Sequence, residues 1–199
     1  MINPSRSLKV FLLLMTLCAV CAPLSLHAFA PAKGMFLIAD EGMVDPRFKD
    51  RVILLIQHDA HGSAGLIVNR SSRLQLNAVL PKDSQLGLQG KTLSYGGPVE
   101  PNTLLALVKV HRNPPQPAEE ILTGLYLTGI GVLDVWPDFD GEVINYRAFV
   151  GYTGWAPGQL NHEMQRGSWH IVPADEDSVF AGQDETLWDS LNSRIAAGN

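Results

Sequence analysis

Cysteine is scarce and confined. The 199-residue chain has two, Cys18 and Cys21, both within its first thirty residues. The rest of the chain has no thiol, which excludes disulfide staples, a thiolate nucleophile and thiolate metal sites there. Basic charge is also thin, with 15 Lys and Arg against 20 Asp and Glu. No run of basic residues gathers anywhere, and no helix-turn-helix pattern is present. A net acidic surface without a basic patch repels phosphate backbones, so nucleic-acid binding is not expected. Repeats and low-complexity segments are missing too. The longest apolar run, Val10 to Ala22, has 13 residues, short of the roughly 20 that a membrane-spanning helix needs.

That run belongs to a distinct leader. Arg6 and Lys9 supply a positive start, "VFLLLMTLCAVCA" follows without charge, Pro23 breaks it, and "LHA" puts a small residue at position 28. The layout is that of a secretory signal peptide. Cleavage is expected after Ala28, because a cut after Ala30 would leave Pro31 just past the scissile bond. An uncleaved anchor and a start at Met35 are the alternatives. Lipid attachment is disfavoured by Val20 and Leu17, which stand where a small residue precedes a lipidated cysteine. The expected organisation is a signal peptide over 1–28 and one domain over 29–199, exported and periplasmic. Losing Arg6 and Lys9 takes the formal charge from −5 to −7.

The domain is 46% apolar over the whole chain and rich in short strand patterns. "MFLIA" (Met35 to Ala39) and "RVILLIQH" (Arg51 to His58) read as buried strands. "GLIVNR" (Gly65 to Arg70) follows a Gly-containing turn, which makes a hairpin. "LQLNAVLP" (Leu74 to Pro81) reads as a short helix. Leu93 to Asn102 is a strand running into a Gly-Gly-Pro corner, and Thr103 to Val110 is another strand. Ile121 to Val135 can be placed only loosely. Val143 to Tyr152 and Ser168 to Val172 are strands. The last segment sets Leu187, Trp188, Leu191 and Ile195 on one helical face. Paired strands with few helices argue for α+β.

Several short motifs suggest chemistry, and each lacks a part that the chemistry needs. "GLQGKT" (Gly87 to Thr92) has Gln85 where a phosphate loop requires glycine. "HDAH" (His58 to His61) offers two imidazoles but names no third metal ligand. "DFDGE" (Asp138 to Glu142) has Trp136 where a calcium loop needs an acid or amide. "HGSAG" (His61 to Gly65) has His61 where a nucleophile elbow needs glycine, and no carboxylate orients a base. No cofactor is therefore expected. "GYTGWAPGQLNHEM" (Gly151 to Met164) has two readings. Pro157 suits the first turn of a helix, whose free N–H groups near Ala156 to Gly158 can hold an anion. Alternatively the glycines shape a corner that packs Tyr152 and Trp155, with Leu160 and Met164 facing the core and Arg166-Gly167 as the stop.

With these pieces in order, the chain resembles the YqgE/AlgH family of small bacterial proteins. The matching blocks are "FLIA", "DPRF", "VILLIQHDAHGSAGLIVNR", "YGGPVEP", "FVGYTGWAPGQLNHEM" and "GSWHIVPAD", with Phe180 and Trp188 beyond them, in order from Gly34 to Leu191. The resemblance implies one α+β domain built on a branched, mostly antiparallel β-sheet curled into a pseudo-barrel with flanking helices. It implies no established enzymatic activity, and it brings a transcription-related label without a DNA-binding motif. The export leader and the stretch from Ile121 to Tyr146 depart from the family's pattern.

The expectation is a non-catalytic binding or regulatory module with an unknown protein or small-molecule partner. Its surface is expected to join His58, His61, Gly65 and Asn69 of the hairpin with Gly96, Gly97 and Pro98 of the corner. Gly151, Gly154, Trp155, Gly158, Gln159 and Glu163 of the glycine-rich block complete it. The rival class is a hydrolase using His58 or His61, which a structure tests by showing whether a histidine, a carboxylate and a nucleophile or metal lie in mutual reach.

Overall fold

The computed structural model describes residues 29–80, 92–136, 143–181 and 186–197. Among the described residues, ten strands form one mostly antiparallel sheet, accompanied by four short α-helices. In chain order the strands begin with β1 (Met35–Ala39), β2 (Val52–Asp59), β3 (Gly62–Ile67), β4 (Ser71–Gln75) and β5 (Thr92–Tyr95). Next come β6 (Val99–Val110), β7 (Ala118–Leu122), β8 (Leu125–Gly129) and α1 (Ile130–Asp134). The chain ends with β9 (Val143–Trp155), α2 (Gln159–Gln165), β10 (Trp169–Pro173), α3 (Glu176–Ala181) and α4 (Thr186–Ala196). The main path runs β10-β1-β2-β3-β9-β6-β8-β7, with β4 and β5 branching from it. This is the α+β class expected from the strand pattern and the branched, mostly antiparallel sheet implied by the family resemblance. It curls without closing. At its far end Lys33 Nζ bonds Glu119 Oε1 at 2.9 Å, which brings β7 beside the approach to β1.

The continuous apolar runs of β1 and β2 follow from burial on both faces. One face carries Phe36, Ile38, Leu54 and Leu66, covered by Leu187 and Leu191 of α4. The other carries Leu37, Ile53, Leu55 and Ile67, covered by Leu160 of α2 and by Trp155 and Trp169. The four residues predicted on one face of the last helix divide accordingly. Leu187 and Leu191 are buried, and Trp188 and Ile195 pack at the margin. A further cluster around Leu93, Val108, Ile130 and Ala148 fills the far half of the sheet.

β9 holds the branches together. It pairs with β6 over most of its length, with β5 in parallel at Phe149 and Val150, and with β3 at Thr153 to Trp155. The change of partner occurs at Gly151, whose φ of +66° bends the strand. There the Gly96-Gly97 corner crosses β9 backbone to backbone. A Cβ built on Gly96 would stand 2.2 Å from the Gly151 carbonyl oxygen, and one built on Gly151 would stand 2.4 Å from that of Gly97. Only glycine permits this approach.

Two expectations need correction. The segment predicted as a helix over Leu74–Pro81 is not a helix in its described part, 74–80. Strand β4 runs to Gln75, and a single 3₁₀ turn, Leu76–Ala78, follows without a side-chain cap. Leu76, fully buried, anchors that turn, so tertiary burial outweighs helix propensity. The third strand starts at Gly62 rather than Gly65, because the hairpin turn is tighter than its polar residues suggested. The loosely placed Ile121 to Val135 region resolves into the end of β7, a turn at Gly124, β8 and α1. The "DFDGE" motif and most of "GLQGKT" lie outside the described residues.

One buried cation ties a helix to the sheet. Arg147 Nη1 donates to the Val179 carbonyl in α3 at 2.5 Å, and Nη2 donates to Ser94 Oγ at 2.7 Å. A cation suits the carbonyl end of a helix. Burial lowers its pKa to about 10, so it stays charged at neutral pH.

Candidate functional site

The glycine-rich block becomes the end of β9, a short turn and α2. Gly158, at φ +76°, precedes the helix, and Gln159 is its first residue. The Ala156 N–H donates to Gln159 Oε1 at 3.1 Å, and the Gln159 N–H returns a bond to the Ala156 carbonyl at 3.0 Å. Pro157 has no N–H. Of the expected donors, that of Ala156 is therefore bonded within the fold and that of Pro157 is absent, and the seven-residue helix is too short for much of a dipole. The corner reading of the block accounts for the geometry. The helix ends as Arg166-Gly167 foretold. Ser168 N–H bonds the Glu163 carbonyl and Gly167 N–H bonds that of Met164, with Gly167 at φ +72°.

Glu163 organises what lies around this corner. Its Oε2 accepts the indole N–H of Trp155 at 2.9 Å and that of Trp169 at 2.8 Å. Its Oε1 accepts Gln159 Nε2 at 2.9 Å, the i, i+4 neighbour one helical turn away. One carboxylate thus fixes the ends of β9 and β10 to α2. The two indoles meet edge to face at 6.1 Å, and Phe48 meets Trp169 in the same way at 5.9 Å.

Beside this cluster is a groove of about 390 Å³. Met43, Val44, Asp45, Arg47 and Phe48 of the β1–β2 loop form one wall. Gln159, Glu163 and Arg166 of the α2 region form another, with Trp155, Ser168 and Trp169 between them. Pro98, Val99 and Gly154 complete the rim. Arg47 closes back on Asp45, Nη2 to Oδ2 at 2.6 Å and Nε to Oδ1 at 3.0 Å. That side-chain bond holds the Asp45 carboxyl below the usual aspartate range. The Arg47 guanidinium also lies 5.5 Å from the Phe48 ring centre. Val44 stands 93% exposed at the edge.

The three glycine-containing segments do meet in space, around the end of β9, but they divide into two layers. Pro98, Gly154, Trp155, Gln159 and Glu163 line the groove. Gly65, Gly96, Gly97 and Gly151 are buried beneath it, where strands cross. Asn69 is 1% exposed, and its amide serves the backbone: Oδ1 accepts Val52 N–H and Nδ2 donates to the Asp50 carbonyl, both at 2.9 Å. Gly158 is exposed on the α2 side. The hairpin end sits next to the same corner, since Ser63 pairs with Trp155. There His58 Nδ1 is 2.8 Å from Ser63 Oγ, with Ser63 buried. Asp59 accepts Gln57 Nε2 and the His61 N–H, and these bonds, the one from Gln57 first, lower its pKa. Among the described residues no three of His, Cys, Asp and Glu converge as a metal site.

Sequence reasoning missed the loop wall, Arg166 and Trp169. The signal for two of these was present in "DPRF" and "GSWHIVPAD", which stood out as blocks without a chemical role.

A mostly antiparallel, branched sheet with a pinned aromatic corner defines a small α+β scaffold. The family model for AlgH-like proteins matches residues 36–197, and the chain belongs to that family. A UPF0301 protein of Mycobacterium leprae is 32% identical over 162 residues, covering 78% of each chain. One from Parabacteroides distasonis is 33% identical over 164 residues, covering 79% of this chain and 80% of the relative. Among solved structures, the AlgH protein of Pseudomonas aeruginosa superposes with a TM-score of 0.69 at 28% identity, covering 84% of this chain and 91% of that one. Protein DIP2367 of Corynebacterium diphtheriae gives 0.70 at 25% identity, with 83% and 88% covered.

Proposed function

We propose that the chain is a non-catalytic binding module, exported and acting outside the cytoplasm, that recognises a protein or small-molecule partner at the groove between the β1–β2 loop and α2. The Glu163 clamp is the observation that carries this reading. It holds two tryptophans in fixed positions at the wall of an open groove, and a preordered aromatic wall lowers the entropy cost of binding. The enzyme reading rests on His58 and Ser63 alone. Ser63 is buried, and the adjacent Asp59 is bonded elsewhere.

The test is a fragment and peptide screen on residues 29–199 followed by amide and indole NMR shifts. Binders are expected to move the indole N–H signals of Trp155 and Trp169. Shifts centred on His58 and Ser63, with turnover of an ester probe lost in His58→Ala, would overturn the reading. Location has a separate test by mass spectrometry of fractionated cells. An N-terminus at Phe29 outside the cytoplasm is expected, and an intact Met1 or Met35 in the cytosol would refute export.

A further inference from the structure

Among the described residues, three strands of the sheet have a single neighbour: β4, β7 and β10. A strand edge is a row of unpaired N–H and C=O groups, and stable proteins guard such rows. β7 is guarded. It carries Glu119 and Glu120, and its register breaks between Glu120 and Leu122. β4 is polar, carries Arg73 and registers with β5 only at Ser71 and Gln75. β10 carries one such device, Pro173 at its end. The rest of its sequence, Trp-His-Ile-Val, holds no Asp, Glu, Lys or Arg, and all five residues stay in unbroken register with β1.

The hydrogen bonds fix which groups face outward. Asp40 N–H bonds the Ser168 carbonyl, and Ala174 N–H bonds the Gly34 carbonyl, each at 3.1 Å. In an antiparallel pair the bonding alternates, so 168, 170, 172 and 174 point their backbone groups at β1. Trp169 and Ile171 then direct N–H and C=O away from the sheet. Residue 173 shares their outward phase and is proline, which has no N–H to leave unpaired there. The start of this edge adjoins the groove, because Ser168 and Trp169 line it. Arg166, at the same end, is exposed, and its guanidinium has no carboxylate partner among the described residues.

We propose that the outer edge of β10 adds an extended segment of a partner protein as an extra strand, with an apolar side chain of that segment entering the groove and a carboxylate meeting Arg166. The occupant's chemistry follows from what the edge offers. The alternating outward N–H and C=O groups of Trp169 and Ile171 match only an extended backbone, and the unpaired guanidinium selects an acid. Strand addition gives affinity and the neighbouring groove gives selectivity. This deepens the binding reading above and rests on it.

The experiment uses residues 29–199 and a library of synthetic octapeptides of alternating Val and Thr, each with one Leu or Phe and one Asp or Glu. The best binder is remade with N-methyl groups on the amides that would face β10, which removes backbone donors and keeps every side chain. Binding is expected to fall about tenfold or more, with the amides of Trp169 and Ile171 protected in the parent complex. Ile171→Pro, which repeats the device already present at Pro173, is expected to abolish binding. Arg166→Gln should weaken it several-fold. If the N-methylated peptide binds equally well and only the groove indoles shift, strand addition is refuted while the groove reading stands. If no peptide in the library binds, or if the chain pairs with a second copy of itself through β10, the proposal fails.

Discussion

Two regions four residues apart on β9 are held by opposite means. At Gly151 the chain meets the Gly96-Gly97 corner through backbone atoms, at separations that exclude a side chain. At Trp155 it meets α2 and β10 through side chains gathered on one carboxylate. Both regions are dense in distinctive residues, yet only the second faces a groove. The crossing determines where β9 turns, and the turn puts Trp155 beside Trp169. Distinctive glycines therefore mark where strands cross as readily as where ligands bind.

Substitutions that break one region and spare the other sharpen this contrast. The largest effect is expected at the crossing. Gly151→Ala must place a Cβ against the Gly97 carbonyl in a left-handed conformation, and it should cost at least about 3 kcal/mol in urea unfolding, or prevent folding. Next is Glu163→Ala, which leaves two largely buried indole donors without an acceptor. A loss of about 2–4 kcal/mol is expected, with the Trp155 and Trp169 indole signals moving together. Retention of both signals would show that the clamp is dispensable. Asn69→Ala frees the backbone groups of Val52 and Asp50 and should cost about 1–3 kcal/mol without moving either indole. Val44→Ser, at an exposed rim, should change stability by less than about 0.5 kcal/mol while weakening groove binders.

The smallest effect concerns pH. The folded pKa of Asp45 is depressed, chiefly by Arg47. Its contribution is therefore complete above the unfolded value and lost as pH falls through the folded one. The carboxyl should titrate below 3.8 by NMR and return toward that value in Arg47→Gln.

Much of the fold was legible because apolar runs such as "VILLI" require burial and because Gly-Gly-Pro requires a corner. The short helix predicted over Leu74–Pro81 failed because local pattern cannot register Leu76 sinking into the far core. The candidate site was half legible. Trp155, Gln159 and Glu163 lie in one motif and were expected on one surface. Met43 to Phe48 and Trp169 reach the groove through sheet pairing between β1 and β10, 130 residues apart at Ala39 and Trp169. No local signal encodes that distance. The layering of Gly65 and Asn69 beneath the surface was hidden for the same reason.

The sharing of β9 among three partners has a kinetic consequence. Neither β3, β5 nor β6 can detach without exposing one side of this strand, so opening there costs more than fraying at the sheet's ends. Amides around Phe149 to Thr153 are expected to exchange slowly, whereas the outward amides of Trp169 and Ile171 have no strand partner among the described residues. A strand shared among three neighbours and a strand edge thus stand on either side of one seven-residue helix.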